Sequence, residues 1–205
     1  MQFLWRFTEL PFLIHLLKTK RLTLLGPKLW DDINDSHYIE MYRKRKKLKT
    51  VLALCFTERR ETYHHWRIFS GSKAGVSIAF YKNKLVSWAQ HQGLRYDSVE
   101  YYNIDELLAK KLNIDKLPFI KRKAFEDEKE FRLLYEDNKA VHTVMEFEIE
   151  LEIIRRIRIS PWLPKSIVES VRDTIKSIDG CEDLEVYRTT LLDNVPWKKA
   201  GGALV

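Results

Sequence analysis

Glu128, Glu130 and Arg132 alternate within Phe125-Glu126-Asp127-Glu128-Lys129-Glu130-Phe131-Arg132-Leu133-Leu134. Successive side chains of a strand point to opposite faces, so this spacing predicts all three on one face. Two carboxylates beside a guanidinium are costly to bury and useful in chemistry. One carboxylate can stabilise positive charge developing at a sugar carbon as a leaving group departs, while the other handles the nucleophile. The same stretch contains Asp127-Glu128-Lys129, a D-x-K string. Joined by Asp31, Asp32 or Asp35, it would suit a Mg²⁺-dependent nuclease. Against that reading, Lys129 points away from Glu128 and Glu130 in a strand. A third reading is non-catalytic: the glutamates and Arg132 form a structural ion-pair network with Arg6 or Arg67, because arginine and carboxylate make good bidentate links.

Other chemistry-bearing residues are less organised. His64 and His65 fall on a helix, where neighbours diverge by about 100° and cannot chelate one metal together. Their sequence reading is one packed and one exposed ring. His15, His37, His91 and His142 are scattered, with no zinc spacing, and no metal is expected. No P-loop, dinucleotide-binding G-x-G-x-x-G or nucleophile-elbow string occurs. Trp30 and Trp66 read as core or loop-anchoring aromatics, because a base-stacking platform wants exposed rings beside basic residues.

The elements that must position these groups read as α+β, with a mixed or mainly antiparallel sheet and packed helices in a single domain over 1–205. Strands are expected at 3–7, 21–25, 50–56, 76–81, 94–102, 131–135, 145–153 and 184–192. The run 50–56 is continuously apolar and reads as a buried central strand. Helices are expected from Thr8, as cap, to Lys20, from Ser36, as cap, to Lys47, and over 60–70, 85–90, 104–112 and 165–178. Residues 200–205 read as a loose tail. Glu146, Glu148, Glu150 and Glu152 share one face of an alternating segment and call for cationic partners, with Arg155, Arg156, Arg158 or the basic helix as candidates.

The 205 residues are 45% hydrophobic and 12% aromatic, which excludes a disordered chain. Net charge is +7, which permits a polyanionic partner. The densest basic run, Arg43-Lys44-Arg45-Lys46-Lys47, is either a solvated helix end or a nucleic-acid-binding patch. Two cysteines, Cys55 in an apolar run and Cys181 in a turn, give no disulfide framework and fit a reducing cytoplasm. No stretch reaches the roughly 18 apolar residues that span a bilayer, and no signal peptide is expected.

Four segments between residues 5 and 159 together resemble the uncharacterised bacterial family called domain of unknown function 2971. They are Trp5-Arg6-Phe7-Thr8, the loop from Leu22 to Asp32, Cys55-Phe56-Thr57-Glu58 with His65-Trp66 and Gly75 to Phe80, and Phe125 to Arg132. The chain departs from the family pattern at Asp31 (usually Asn), Ile33 (Pro), His65 (Met), Ile68 (His) and Phe69 (Tyr). That family brings no single activity with it. The order of motifs also resembles ADP-ribosyltransferases. This likeness implies that Arg6 anchors NAD, Thr57 supports the site, Glu130 acts on the ribose and Glu128 orients the nucleophile. Trp66 and Arg132 complete the implied substrate-binding set. NAD or another nucleotide is then the substrate, with stress or phage conflict as the expected setting. The alternatives are a non-catalytic binding module for nucleic acid or protein, and the nuclease.

Overall fold

The alternating E-x-R segment does form a strand, and it lies one strand in from an edge of the sheet. The computed structural model describes residues 2–27 and 30–203. In chain order, β1 (Phe3–Glu9), α1 (Leu10–Thr19) and β2 (Arg21–Leu25) are followed by α2 (Ile33–Arg45), β3 (Thr50–Thr57) and α3 (Tyr63–Phe69). Next come β4 (Gly75–Tyr81), α4 (Lys82–His91), β5 (Arg95–Ser98), β6 (Glu100–Tyr102) and α5 (Ile104–Ala109). Then β7 (Ile120–Arg122), β8 (Glu130–Asp137), β9 (Val144–Glu148), β10 (Ile154–Ile159), α6 (Lys165–Lys176), β11 (Glu185–Arg188) and α7 (Val195–Gly202) complete the chain.

β8 pairs antiparallel with β3 along its whole length, from Thr50↔Asp137 to Thr57↔Glu130. The other edge of β3 is divided. Trp5 of β1 pairs with Thr57, and Leu25 of β2 pairs with Ala53. The sheet therefore forks where β1 leaves β3 and β2 takes its place. β4, β10 and β11 continue the sheet beyond β1, while β9 covers β2. The β10–β11 pair is parallel and the other pairs of this sheet are antiparallel. The fold is α+β with a mixed sheet.

Alternation along β3 and β8 separates two chemistries. Leu52, Leu54, Phe56, Phe131 and Leu133 face the main core with Leu13 and Leu17 of α1, Leu85 of α4 and Ile175 of α6. Burying each such side chain stabilises the fold by about 1.5–3 kcal/mol. Val51, Ala53 and Leu134 face a smaller core under Ile39 and Tyr42 of α2 and the turn Leu117–Phe119. Beyond this smaller core, the same face carries the polar groups of the site.

Several expectations change. Thr8 belongs to β1, and Glu9 begins α1 without a side-chain cap. Asp32, not Ser36, caps α2, accepting from the Asn34 and Asp35 amides. The expected strand 94–102 breaks at Val99, whose amide donates to the Glu130 carbonyl at 2.8 Å. The glutamate-rich strand stops at Glu148, and Leu151–Ile153 is a 3₁₀ turn. Arg21 pairs with Glu146 and Glu148, His15 hydrogen-bonds Glu146 and Lys84 pairs with Glu152, whereas Arg155 and Arg156 pair with Glu185 and Arg158 with Glu61. The expected loose tail is helical to Gly202, because Asn194 caps α7 through the Trp197 amide. Residues 28 and 29, inside the family-like loop, lie outside the described residues, as do 204 and 205 of the tail.

Candidate active site

A cleft of about 430 Å³ opens at the fork of the sheet. Its walls come from Trp5, Arg6 and Phe7 of β1, Cys55 and Thr57 of β3, and Glu130 of β8. Trp30, Asp31, Asp32 and Asp35 close one side, and Lys121, Phe125 and Glu128 another.

Arg6 stands where the strands separate. Its Nη1 donates to the Cys55 carbonyl at 3.4 Å. Among the described residues it has no carboxylate within ion-pair distance. Burial lowers its pKa against a smaller opposing effect of Cys55, but a guanidinium remains charged at any ordinary pH. The cleft thus holds a cation with donors to spare.

Glu130 is 5% exposed and Arg132 not at all. Arg132 donates through Nε to Glu130 at 2.7 Å and through Nη1 and Nη2 to Asp35 at 2.9 and 2.7 Å. Nη1 also donates to the Pro118 carbonyl at 2.6 Å, and Trp30 stacks on the guanidinium at 4.8 Å. Arg132 therefore lies beneath the cleft, as a clamp, and does not line it. Lys121 adds a second buried cation. Its Nζ lies 2.6 Å from Glu128, 3.5 Å from Glu130 and 3.8 Å from Asp35. Three carboxylates against two cations leave this wall one negative charge in excess.

The carboxyls are driven apart. Burial raises Glu130, but Arg132 and Lys121 outweigh it and hold the group at about 2. Burial raises Glu128, and Lys121 only partly offsets this, so its pKa stays above the usual value. Asp35 is likewise raised by burial, against Arg132. Two carboxyls whose environments separate them in this way are suited to different roles, one permanently ionised and one able to exchange a proton.

Thr57 lines the cleft, but its hydroxyl is engaged. It donates to the Glu128 carbonyl at 2.5 Å and accepts from the Arg59 amide at 3.0 Å. These bonds fix the turn that carries Glu128. That residue is not on the strand with Glu130 and Arg132: it ends a 3₁₀ turn, and Lys129, at φ 44°, reverses the chain before β8 begins. Trp66 is a core residue, as its type suggests, and not part of the substrate-binding set that the likeness implies. It is 1% exposed, donates to Glu61 at 2.8 Å and packs edge-on against Phe7, and it is absent from the cleft wall. Phe69 and Ile68 of the same helix line the cleft.

The basic run ends α2. Arg43 is bidentate to Glu40 and caps the Leu48 carbonyl, Lys44 also faces Glu40, and Lys46 pairs with Asp115. Arg45 and Lys47 have no ion pair among the described residues. The nuclease arrangement is not formed by Asp35, which is bound by Arg132, while Asp127 pairs with Arg59 at 2.7 Å on the surface. Among the described residues no group of three His, Cys, Asp or Glu side chains gathers as metal ligands. His65 is packed against Phe7 and Phe69, and His64 is exposed. Among the described residues no helix is long and apolar enough to cross a membrane.

Sequence reading missed Lys121 and the role of Asp35 as partner of Arg132. The available signal for Lys121 was its place as the first of three basic residues, Lys121-Arg122-Lys123, directly after the apolar run Leu117-Pro118-Phe119-Ile120. Tyr101 was also missed: its hydroxyl accepts the Glu130 amide at 2.8 Å and sets the start of β8.

No family model and no curated relative matches the chain. Among solved structures it is similar to DarT of Thermus sp. 2.9 in complex with ADP-ribosylated ssDNA, at 11% identity and a TM-score of 0.48, over 92% of this chain and 94% of that one. The complexes of the same protein with carba-NAD+ and with NAD+ give TM-scores of 0.46 and 0.45, each at 11% identity over 92% of this chain and 95% of the other.

Proposed function

We propose that the cleft takes NAD and transfers its ADP-ribose to a nucleophile, in the manner of an ADP-ribosyltransferase. The observation that carries this reading is the opposed charge of the two walls. Arg6 offers free donors on one side, and a wall with excess negative charge stands on the other. NAD has the matching asymmetry, with an anionic pyrophosphate and a cationic nicotinamide ribose. Arginine is well suited to phosphate because its donors form a planar fork.

In the proposed reaction the bond between the ribose C1′ and the nicotinamide nitrogen breaks. Its electron pair goes to nicotinamide, which leaves neutral, and C1′ becomes oxocarbenium-like. Glu130, ionised across the ordinary pH range, stabilises that charge. The nucleophile bonds to C1′ and gives its proton to Glu128, whose raised pKa suits a base. Lys121 and Arg132 hold both carboxylates in place. Trp5, Phe7 and Phe125 supply apolar walls for the flat rings.

Equilibrium binding of NAD tests the first half of this reading. The wild type binds NAD, and Arg6→Ala weakens binding about tenfold or more, the loss expected for a charged hydrogen-bond partner. Equal affinity in the two proteins would remove Arg6 from the reading.

A further inference from the structure

A second groove, of about 660 Å³, shares no lining residue with the cleft. Its lining includes Arg60, Arg158, Thr190, Asn194, Trp197 and Lys198. Arg158 comes from β10 and is 8% exposed. Its guanidinium stacks on the Trp5 ring at 4.3 Å, and Nε donates to the Tyr187 hydroxyl at 2.9 Å. Nη1 is buried without a hydrogen-bond acceptor, although Glu61 lies 3.2 Å away. The pair with Glu61 lacks hydrogen-bond geometry, and a buried donor without a well-placed acceptor costs free energy.

Two further features point to the same ligand. Arg60 has no carboxylate partner among the described residues. Trp197 projects from α7 with 79% of its surface exposed. Lys198 is paired with Asp193 and contributes less free charge. Arg60, without a carboxylate among the described residues, and Arg158, whose one carboxylate partner is shared with the Trp66 indole, favour an anion, and an indole beside them favours a flat ring. Glu61 takes the Trp66 indole on one oxygen, at 2.8 Å, and pairs with Arg158 through the other, so the lining holds two guanidinium groups against one carboxylate.

We infer that this groove binds a nucleotide, with its phosphate on Arg60 and Arg158 and its base stacked on Trp197. The site stands apart from the NAD reading and does not depend on it. Free mononucleotides and residues of a single strand share this chemistry.

The test follows the Trp197 indole N–H resonance, assigned by its loss in Trp197→Phe, while the full chain is titrated with 5′-AMP, adenosine, inorganic phosphate or a ten-residue oligodeoxythymidylate. AMP is expected to shift the resonance and to bind more tightly than adenosine or phosphate. Trp197→Ala, followed by calorimetry, weakens AMP about tenfold, in the range of stacking on one aromatic ring, and leaves phosphate unchanged. Arg60→Gln weakens both. Both substitutions are at the surface or groove rim, so the fold is retained. Tighter binding of the oligomer, falling steeply with salt, assigns the site to a strand, and tighter AMP assigns it to a free nucleotide. No shift with either AMP or oligomer, or AMP affinity unaltered in both variants, overturns the proposal.

Discussion

Glu128 and Glu130 share one ammonium, that of Lys121, yet their carboxyls are displaced in opposite directions. Lys121 lies 2.6 Å from Glu128 and 3.5 Å from Glu130. The difference is made by Arg132, which bonds Glu130 directly at 2.7 Å and reaches Asp35 on its other side. One carboxyl is thereby fixed as an anion, and the other is left to be governed by burial.

Lys121→Met separates these effects. Glu128 keeps its burial and loses the cation that lowers it, so its pKa rises further. The acid limb of the pH–rate profile for transfer moves to higher pH, and the rate at neutral pH falls. The same variant with an unmoved profile would show that Glu128 is not the titrating base.

The depressed pKa of Glu130 also sets a stability dependence on pH. A carboxyl held at about 2 in the fold and near 4.5 when unfolded contributes stability above pH 4.5 that is lost as pH falls towards 2. The size is about 3 kcal/mol at 1.36 kcal/mol per unit. Glu128 and Asp35, both raised, act in the opposite sense, because the fold binds their protons more readily. Urea unfolding from pH 6 down to pH 2.5 should show a loss of stability that is smaller in Glu130→Gln. A parallel pair of curves would contradict the assignment.

The fold tolerates the loss of Arg132 poorly. Arg132→Met leaves Glu130 and Asp35 buried, with only Lys121 within ion-pair distance. Removing one partner of a buried pair costs about 3–5 kcal/mol. Arg132→Lys keeps the charge but cannot bond both carboxylates in the same fork geometry, so it recovers only part of this. Chemical denaturation midpoints measure both.

Much of the sheet was legible because its strands alternate or are continuously apolar. β3, β4 and β8 follow from such patterns, and Arg21–Leu25 is bounded as expected. β10 was missed because three arginines interrupt its apolar residues, although Ile154, Ile157 and Ile159 are buried. The site was half legible. Glu130 and Arg132 share a face by local spacing alone. Asp35 meets Arg132 across 97 positions of chain, and Lys121 enters from a short strand, β7, in a separate two-stranded sheet. Such meetings depend on tertiary packing, and no local period records them. Trp66 shows the residue-level reading prevailing over the likeness: read from its type as a core or loop-anchoring aromatic, it is a core residue packed against Phe7.

The most direct measurement is nicotinamide release from NAD by the purified protein and by Glu130→Gln, with acceptors from a cell extract screened by mass spectrometry. The account predicts release by the wild type and a loss of about 10²–10³-fold in the variant, the scale of removing one charge-stabilising group. NAD binding through Arg6 would persist in that variant. Release unaffected by Glu130→Gln, or no release and no modified acceptor from a wild type that binds NAD, would contradict it.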